Sequence, residues 1–202
     1  MDGMTGRFFR MQIPKWTFIF IAVCTAIFFL EFALPLFEWF EFVPSLAYSE
    51  PWRFVTAIFL HAGLDHLFFN MLALLMFGLY LESIIGYKRF VLLFFTAGIA
   101  GNVAYLLLAP EGTIPAVGAS GAIYGIMAML AVMRPSLIVY VGYIPMPMIL
   151  AAVLWTILEF AGMFVPSSIA HEAHLAGIII GVAYGWLRRK RRAKEKLLVV
   201  RF

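Results

Sequence analysis

HEAHLAGIIIGVAYGWLRRKRR, residues 171–192, carries in one stretch the signals from which the rest of the chain can be read. Its middle, 172–187, is an apolar run of the kind that crosses lipid; its end turns abruptly basic, with seven Lys and Arg residues between Arg188 and Lys196. Basic residues flanking a span gather on the cytoplasmic side and meet anionic headgroups, so this end is expected to face the cytoplasm. Gly177, Gly181 and Gly185 repeat at spacing four and leave one flat face for close approach of another helix. His174 falls on almost the same face, three residues before Gly177.

Working outward, long apolar segments recur at about 16–36, 66–85, 90–109, 119–133, 146–164 and 172–187, divided by Pro, Gly or charged residues. A spanning helix needs about 20 apolar residues to cross a hydrocarbon core about 30 Å thick. The fourth segment is short for a full span, and Ser136 to Met148, with Gly142, Pro145 and Pro147, is expected to be partly helical or re-entrant. The first run follows Arg7, Arg10 and Lys15, exceeds a signal-peptide core and has no evident cleavage site, so it reads as an uncleaved span. With 64% hydrophobic and 13% charged residues and a mean hydropathy of +0.96, the 202-residue chain is excluded from the soluble globular class. The net charge of +4 is mostly a tail and makes no nucleic-acid footprint, and the lone Cys24 rules out an intramolecular disulfide.

Six spans put both termini on one side, and charge tests that count independently of hydropathy. Lys88 and Arg89 between spans two and three, Arg134 after span four and the two tails place 14 of the 15 Lys and Arg residues on that side, which is therefore expected to be cytoplasmic. The exception is Arg53, in an external segment with Glu38, Glu41 and Glu50; Glu111 and Glu172 also fall outside. Residues 37–60 are too interrupted for a span and carry Trp39, Tyr48 and Trp52, rings suited to headgroup depth, so this loop is expected in the membrane interface. The expected fold is an all-α polytopic membrane protein: a basic cytoplasmic tail at 1–15, a six-helix bundle at 16–187 with an interfacial first loop, and a basic cytoplasmic tail at 188–202.

In that topology spans two, four and six all run from outside to inside, so their first turns share one depth near the external face. His61 and His66 open span two, Gly118-Ala119-Ser120-Gly121 opens span four, and His171 and His174 open span six. A Ser at a helix N-terminus has unpaired backbone amides and the positive dipole end beside it, where an oxyanion would develop; equally, Ser and Gly serve helix packing in membranes. A neutral His174 within reach would take the Ser120 proton and return it to a leaving amine; the alternative is a histidine bonded to a carbonyl. Gly121 and Gly125 would face the glycines of span six, and Tyr124, one turn after Ser120, could pack under the imidazole. No carboxylate in the external half is an evident third member, so a Ser-His dyad is expected. His66 and Asn70, at i and i+4, share a helix face and either glue helices or donate to the oxyanion. His171-Glu172-Ala173-His174 misses the zinc pattern H-E-x-x-H, since its second His comes one residue early and position 175 is Leu. Four histidines near one face keep a metal open, and Glu31 and Glu159, intramembrane carboxylates without an assigned role, keep a transporter open.

From Trp16 to Trp186 the chain resembles the rhomboid family of intramembrane serine proteases, in its minimal six-helix form. The resemblance lies in Trp52-Arg53, in His61 with His66-x-x-x-Asn70, in Gly118-Ala119-Ser120-Gly121 with Tyr124, and in Ala173-His174-Leu175-Ala176-Gly177 with Gly181. It implies that Ser120 attacks a peptide bond in the transmembrane segment of a membrane-protein substrate, with His174 as base and then acid, and that water resolves an acyl-enzyme. It implies an oxyanion hole of His66, Asn70 and the Ser120 amide, no cofactor and no metal, and structural roles for Arg53 in the submerged loop and Glu82 at the cytoplasmic end of span two. It further implies an active site opening to the external face and lateral entry near Trp155, Phe160, Met163, Phe164 and Val165. Relatives that bind client membrane proteins without cutting them typically lack the Ser or the His, and both are present here.

Overall fold

The computed structural model describes residues 13–108 and 115–199, with side chains to Arg191. Arg7 and Arg10 of the first tail, Glu111 and Arg201 lie outside the described residues, as do the side chains of Arg192, Lys194 and Lys196. The described chain is mostly helical, with one long helix in each apolar segment: α1 Trp16–Leu30, α2 Leu64–Ile85, α3 Tyr87–Leu108, α4 Ser120–Met133, α5 Met148–Gly162 and α6 His171–Val199. By length and composition α2 and α3 are able to cross a membrane, and α1, α4 and α5 are shorter apolar helices.

Two segments differ from expectation. The first apolar run does not stay helical to residue 36; α1 stops at Leu30, and a turn leads to a short helix at Leu36–Phe40. Pro35 accounts for this, since its ring disfavours helical backbone at Leu34. Between Ser136 and Met148 the chain holds not a helix but an antiparallel hairpin, β1 Ile138–Val141 with β2 Ile144–Pro147, in which Val141 pairs with Ile144. The β-branched and aromatic residues favour strands, and Gly142, at φ +62°, opens the two-residue turn with the positive φ that such a turn requires.

Residues 37–60 run through short helical turns at Leu36–Phe40, Pro44–Leu46, Arg53–Thr56 and Ala57–Phe59. Arg53 holds them together. The residue is 3% exposed, and its guanidinium donates to the Glu41 carbonyl (2.7 Å), the Glu38 carbonyl (2.6 Å) and the Glu50 carboxylate (2.5 Å). A buried cation is tolerable only when its donors are satisfied in this way. Asn102 of α3 ties the same segment to the bundle by donating to the Phe54 carbonyl at 2.9 Å.

The bundle is centred on α4, whose residues from Gly121 to Ala131 are almost all buried. A helix enclosed by protein needs no full bilayer length of its own, which explains how a 14-residue element serves. Its glycines bring α6 into backbone contact. A β-carbon at Gly177 would overlap the Gly121 carbonyl, and one at Gly181 would overlap that of Gly125. By contrast α5 is peripheral: only Met148, Ala151 and Glu159 are buried, and Leu150, Val153, Leu154, Ile157 and Leu158 present an apolar outer surface.

Glu82 joins α2 to the start of α1. Its carboxylate, 1% exposed, accepts from the backbone amides of Lys15 (3.0 Å), Trp16 (3.0 Å) and Thr17 (2.9 Å) and from the Thr17 hydroxyl (2.8 Å). These amides have no acceptor within their own helix, so one distant carboxylate caps α1. Replacing it by alanine leaves the buried Thr17 amide and hydroxyl unpaired together with the partly buried amides of Lys15 and Trp16, and Glu82→Ala is expected to lose roughly 3 kcal/mol of stability. Cys24, the lone cysteine and fully buried in α1, supplies the readout: a thiol-reactive dye should label Glu82→Ala at a lower temperature than wild type.

Candidate active site

Three helix starts converge at one end of the bundle. Ser120 is the first residue of α4, His174 lies in the first turn of α6 and His66 in the first turn of α2. Ser120 takes its place because Gly118, two residues earlier, adopts φ +122° and turns the chain into the helix. L-residues rarely adopt that conformation, and the Gly118 amide is fastened to the Ala57 carbonyl at 2.9 Å. The Gly118 position is doubly restricted, since a β-carbon there would lie 2.7 Å from Cε1 and 2.8 Å from Nε2 of His66. The His66 ring is thus laid against the residue that leads into Ser120.

Ser120 Oγ lies 2.6 Å from His174 Nε2. Under the same imidazole Tyr124 is stacked, with ring centroids 4.5 Å apart and planes inclined by 21°. His174 is 9% exposed, whereas Ser120 and His66 are half-buried, so the hydroxyl is reachable while its partner is enclosed. Asn70 is buried on α2, and its amide donates to the His66 carbonyl at 2.8 Å, which leaves a second N–H on the same nitrogen. The structure therefore unites Ser120, His174, Tyr124 and Gly118 with His66, and puts Asn70 one turn along from His66. Gly121 and Gly177 lie at the α4–α6 contact just below, and Arg53 and Glu82 are in the loop and at the far end of α2.

The structure adds a group that the sequence reading left unassigned. Glu159 of α5 is 8% exposed, and its Oε2 accepts from His174 Nδ1 at 2.8 Å and from His171 Nδ1 at 2.6 Å, while the Tyr124 hydroxyl donates to its Oε1. His174 consequently has a carboxylate behind it, and the expectation that no carboxylate lies at this depth is corrected. Span five runs outward in the expected topology, so residue 159, near its end, belongs to the external half after all. The signal was available: a lone carboxylate in an apolar helix must find donors, and His171 and His174, at i and i+3, share one face of α6. Glu31, the other such carboxylate, is the residue after α1 and lies outside this network.

The facing atoms of Glu159, His171 and His174 are within 4.8 Å of one another, a spacing that a cation could bridge. Nδ1 of His171 and Nδ1 of His174 both lie within hydrogen-bond reach of the same carboxylate oxygen.

The family model for the rhomboid domain matches residues 48–191. The chain belongs to the rhomboid family. This rhomboid is 34% identical over 185 residues to the rhomboid protein YdcA of Bacillus subtilis, covering 87% of the present chain and 90% of that one. It is also 34% identical over 187 residues to the rhomboid protease GluP of the same species, covering 86% of the present chain and 34% of GluP. Rhomboid protein 1, mitochondrial, of Saccharomyces cerevisiae is 32% identical over 151 residues, which cover 70% of the present chain and 43% of the yeast protein. The chain thus spans less than half the length of the latter two relatives. Membership makes this rhomboid an integral membrane protein, in keeping with its apolar helices.

Proposed function

We propose that this rhomboid is an intramembrane serine endopeptidase that cleaves transmembrane segments of other membrane proteins. The observation that carries the reading is the 2.6 Å contact between Ser120 Oγ and His174 Nε2 at the N-terminus of α4. The hydroxyl donates to Nε2 in the resting site. On attack its proton passes to Nε2, the Oγ–carbonyl bond forms, and the carbonyl oxygen becomes an oxyanion beside the first-turn amides of α4. His174 then returns the proton to the leaving amine as the peptide C–N bond breaks. Water repeats the sequence on the acyl-enzyme, and no cofactor or metal is required.

The amide of Ser120, His66 and the free N–H of Asn70 supply the oxyanion donors. His66→Ala and Asn70→Ala are each expected to lower kcat by roughly 10²–10³-fold with little change in thermal unfolding. A simple helix-gluing role predicts the opposite balance, a stability loss with kcat preserved.

The membrane arrangement belongs to the same proposal. Residues 16–187 form six spans, the tails 1–15 and 188–202 lie on the cytoplasmic side against anionic headgroups, and Ser120 opens to the external face. The first loop is submerged in the interface, and substrates enter laterally past α5 near Trp155, Phe160 and the exposed Met163, Phe164 and Val165. The direct test is labelling of the detergent-purified protein with a fluorophosphonate, with the adduct located by peptide mass. A single adduct on Ser120 that is lost in His174→Ala is the expected result. Labelling that persists in Ser120→Ala overturns the assignment.

A further inference from the structure

We infer that Glu159 is a positioning residue for His174, so that Ser120 and His174 work with a carboxylate behind them as a triad rather than as a dyad. This rests on the serine-protease reading above and deepens it. α5 buries three side chains, and Glu159 is the only polar one among them. A carboxylate turned inward from an apolar helix is costly unless its lone pairs are filled, and here both oxygens are occupied by donors from α4 and α6.

The chemistry follows from what each group can do. An ionised carboxylate only accepts, so the protons in its two imidazole contacts sit on Nδ1 of His171 and Nδ1 of His174. With Nδ1 protonated, His174 presents the bare lone pair of Nε2 to Ser120 Oγ, the tautomer that a base needs. When the serine proton arrives, the imidazolium that forms lies beside a negative charge in surroundings of low dielectric, which favours it over free imidazole. Glu159 takes up no proton; the one that moves goes from Ser120 to His174 Nε2 and on to the leaving amine.

Two further contacts hold the carboxylate still. Tyr124 bonds Oε1 and stacks on His174, so one side chain fixes both the carboxylate and the plane of the base. His171 fills the second site on Oε2, and its own Nε2 accepts from the Ser167 hydroxyl at 3.1 Å. Gly162, the last residue of α5, lies against the His171 ring: a β-carbon there would fall 2.6 Å from Nδ1. The α5–α6 corner is thus built around His171, and His171 around Glu159.

The test compares wild type, Ser120→Ala, Glu159→Gln and Glu159→Asp as full-length proteins in detergent, cleaving one single-span substrate. Gln keeps the shape and can still accept from both imidazoles while offering its NH2 to the Tyr124 oxygen, so it removes mainly the charge. Its kcat is expected to fall roughly 10²–10³-fold with KM within about threefold of wild type and Cys24 still protected from thiol dye, and Asp to recover part of that loss. Should Glu159→Gln fail to fold, Tyr124→Phe and His171→Asn decide, each expected to lower kcat about tenfold at unchanged KM by removing one support of the carboxylate. A wild-type kcat in Glu159→Gln, or in both substitute variants, with Ser120→Ala inactive, overturns the inference and leaves the protease reading standing. Cleavage that persists in Ser120→Ala overturns both. Activity abolished by chelation and restored by zinc would assign Glu159, His171 and His174 to a metal centre and overturn the positioning role.

Discussion

Ser120→Ala is expected to lower cleavage of a single-span substrate by at least 10⁴-fold, His174→Ala to lower it by a similar factor, and the double variant to lose no more than either alone. The two side chains act in one proton transfer across the 2.6 Å contact, so removing either removes the whole function of the other. The small rate that survives comes from the oxyanion donors and from substrate positioning, which neither substitution touches. Folding should be spared in Ser120→Ala. Ser120 is half-buried at a helix start, and the helix is held by α6 and α3 along its length rather than by the hydroxyl. His174→Ala is less innocent, because Glu159 loses one of its donors and Tyr124 its stacking partner, and a modest loss of thermal stability should accompany the loss of rate. Single-turnover cleavage followed by gel and mass, with Cys24 labelling as the measure of folding, separates the two effects. Multiplicative losses in the double variant would mean that Ser120 and His174 act independently, which this mechanism does not allow.

Much of the site was legible from one dimension because depth in a membrane is a coordinate that hydropathy and charge both report. In the expected topology three spans begin outside and share the level of their first turns; in the structure Ser120 meets His174, and the His66 ring lies against Gly118. The glycine repeat of 177, 181 and 185 likewise announced a close helix contact, because small residues have few other reasons to recur every turn in an apolar helix. What escaped was lateral. Glu159 stands near the end of an apolar helix with no donor beside it in the sequence, and only the packing of α5 against α6 shows that it turns inward to His174. In the sequence His171 has His174 as its neighbour along one helix, whereas its partner in the structure is a carboxylate on the preceding helix. The Arg53 acceptors are mostly backbone carbonyls, which carry no sequence signature at all. The hairpin at 138–147 was masked by its prolines, since these argue against a helix without saying what replaces it.

The glycine contact supports the other large expectation. Gly177→Leu should abolish activity and leave little folded protein, Gly177→Ala should cost at least tenfold in rate, and Gly63→Ala should be close to neutral. At Gly177 a β-carbon would lie 2.9 Å from the Gly121 carbonyl carbon and closer still to its oxygen, both backbone atoms that no rotamer change can move. Overpacking of this kind typically costs 1–3 kcal/mol, roughly, where side chains can give way, and more where only a helix shift relieves it. The shift matters for function as well as for stability. Gly177 is one turn beyond His174 on the same face of α6, and Gly121 directly follows Ser120 on α4, so prising these helices apart lengthens the Ser120–His174 contact itself. A displacement of about 1 Å between reacting groups can cost about 10²-fold. Gly63 supplies the contrast. Its φ of −179° is extended backbone open to any residue, and nothing lies within 4 Å of where its β-carbon would be. If Gly177→Ala cleaved at the wild-type rate, the α4–α6 spacing would not be what holds nucleophile and base together, and the register of the two helices would have to be maintained by Tyr124 and Glu159 instead.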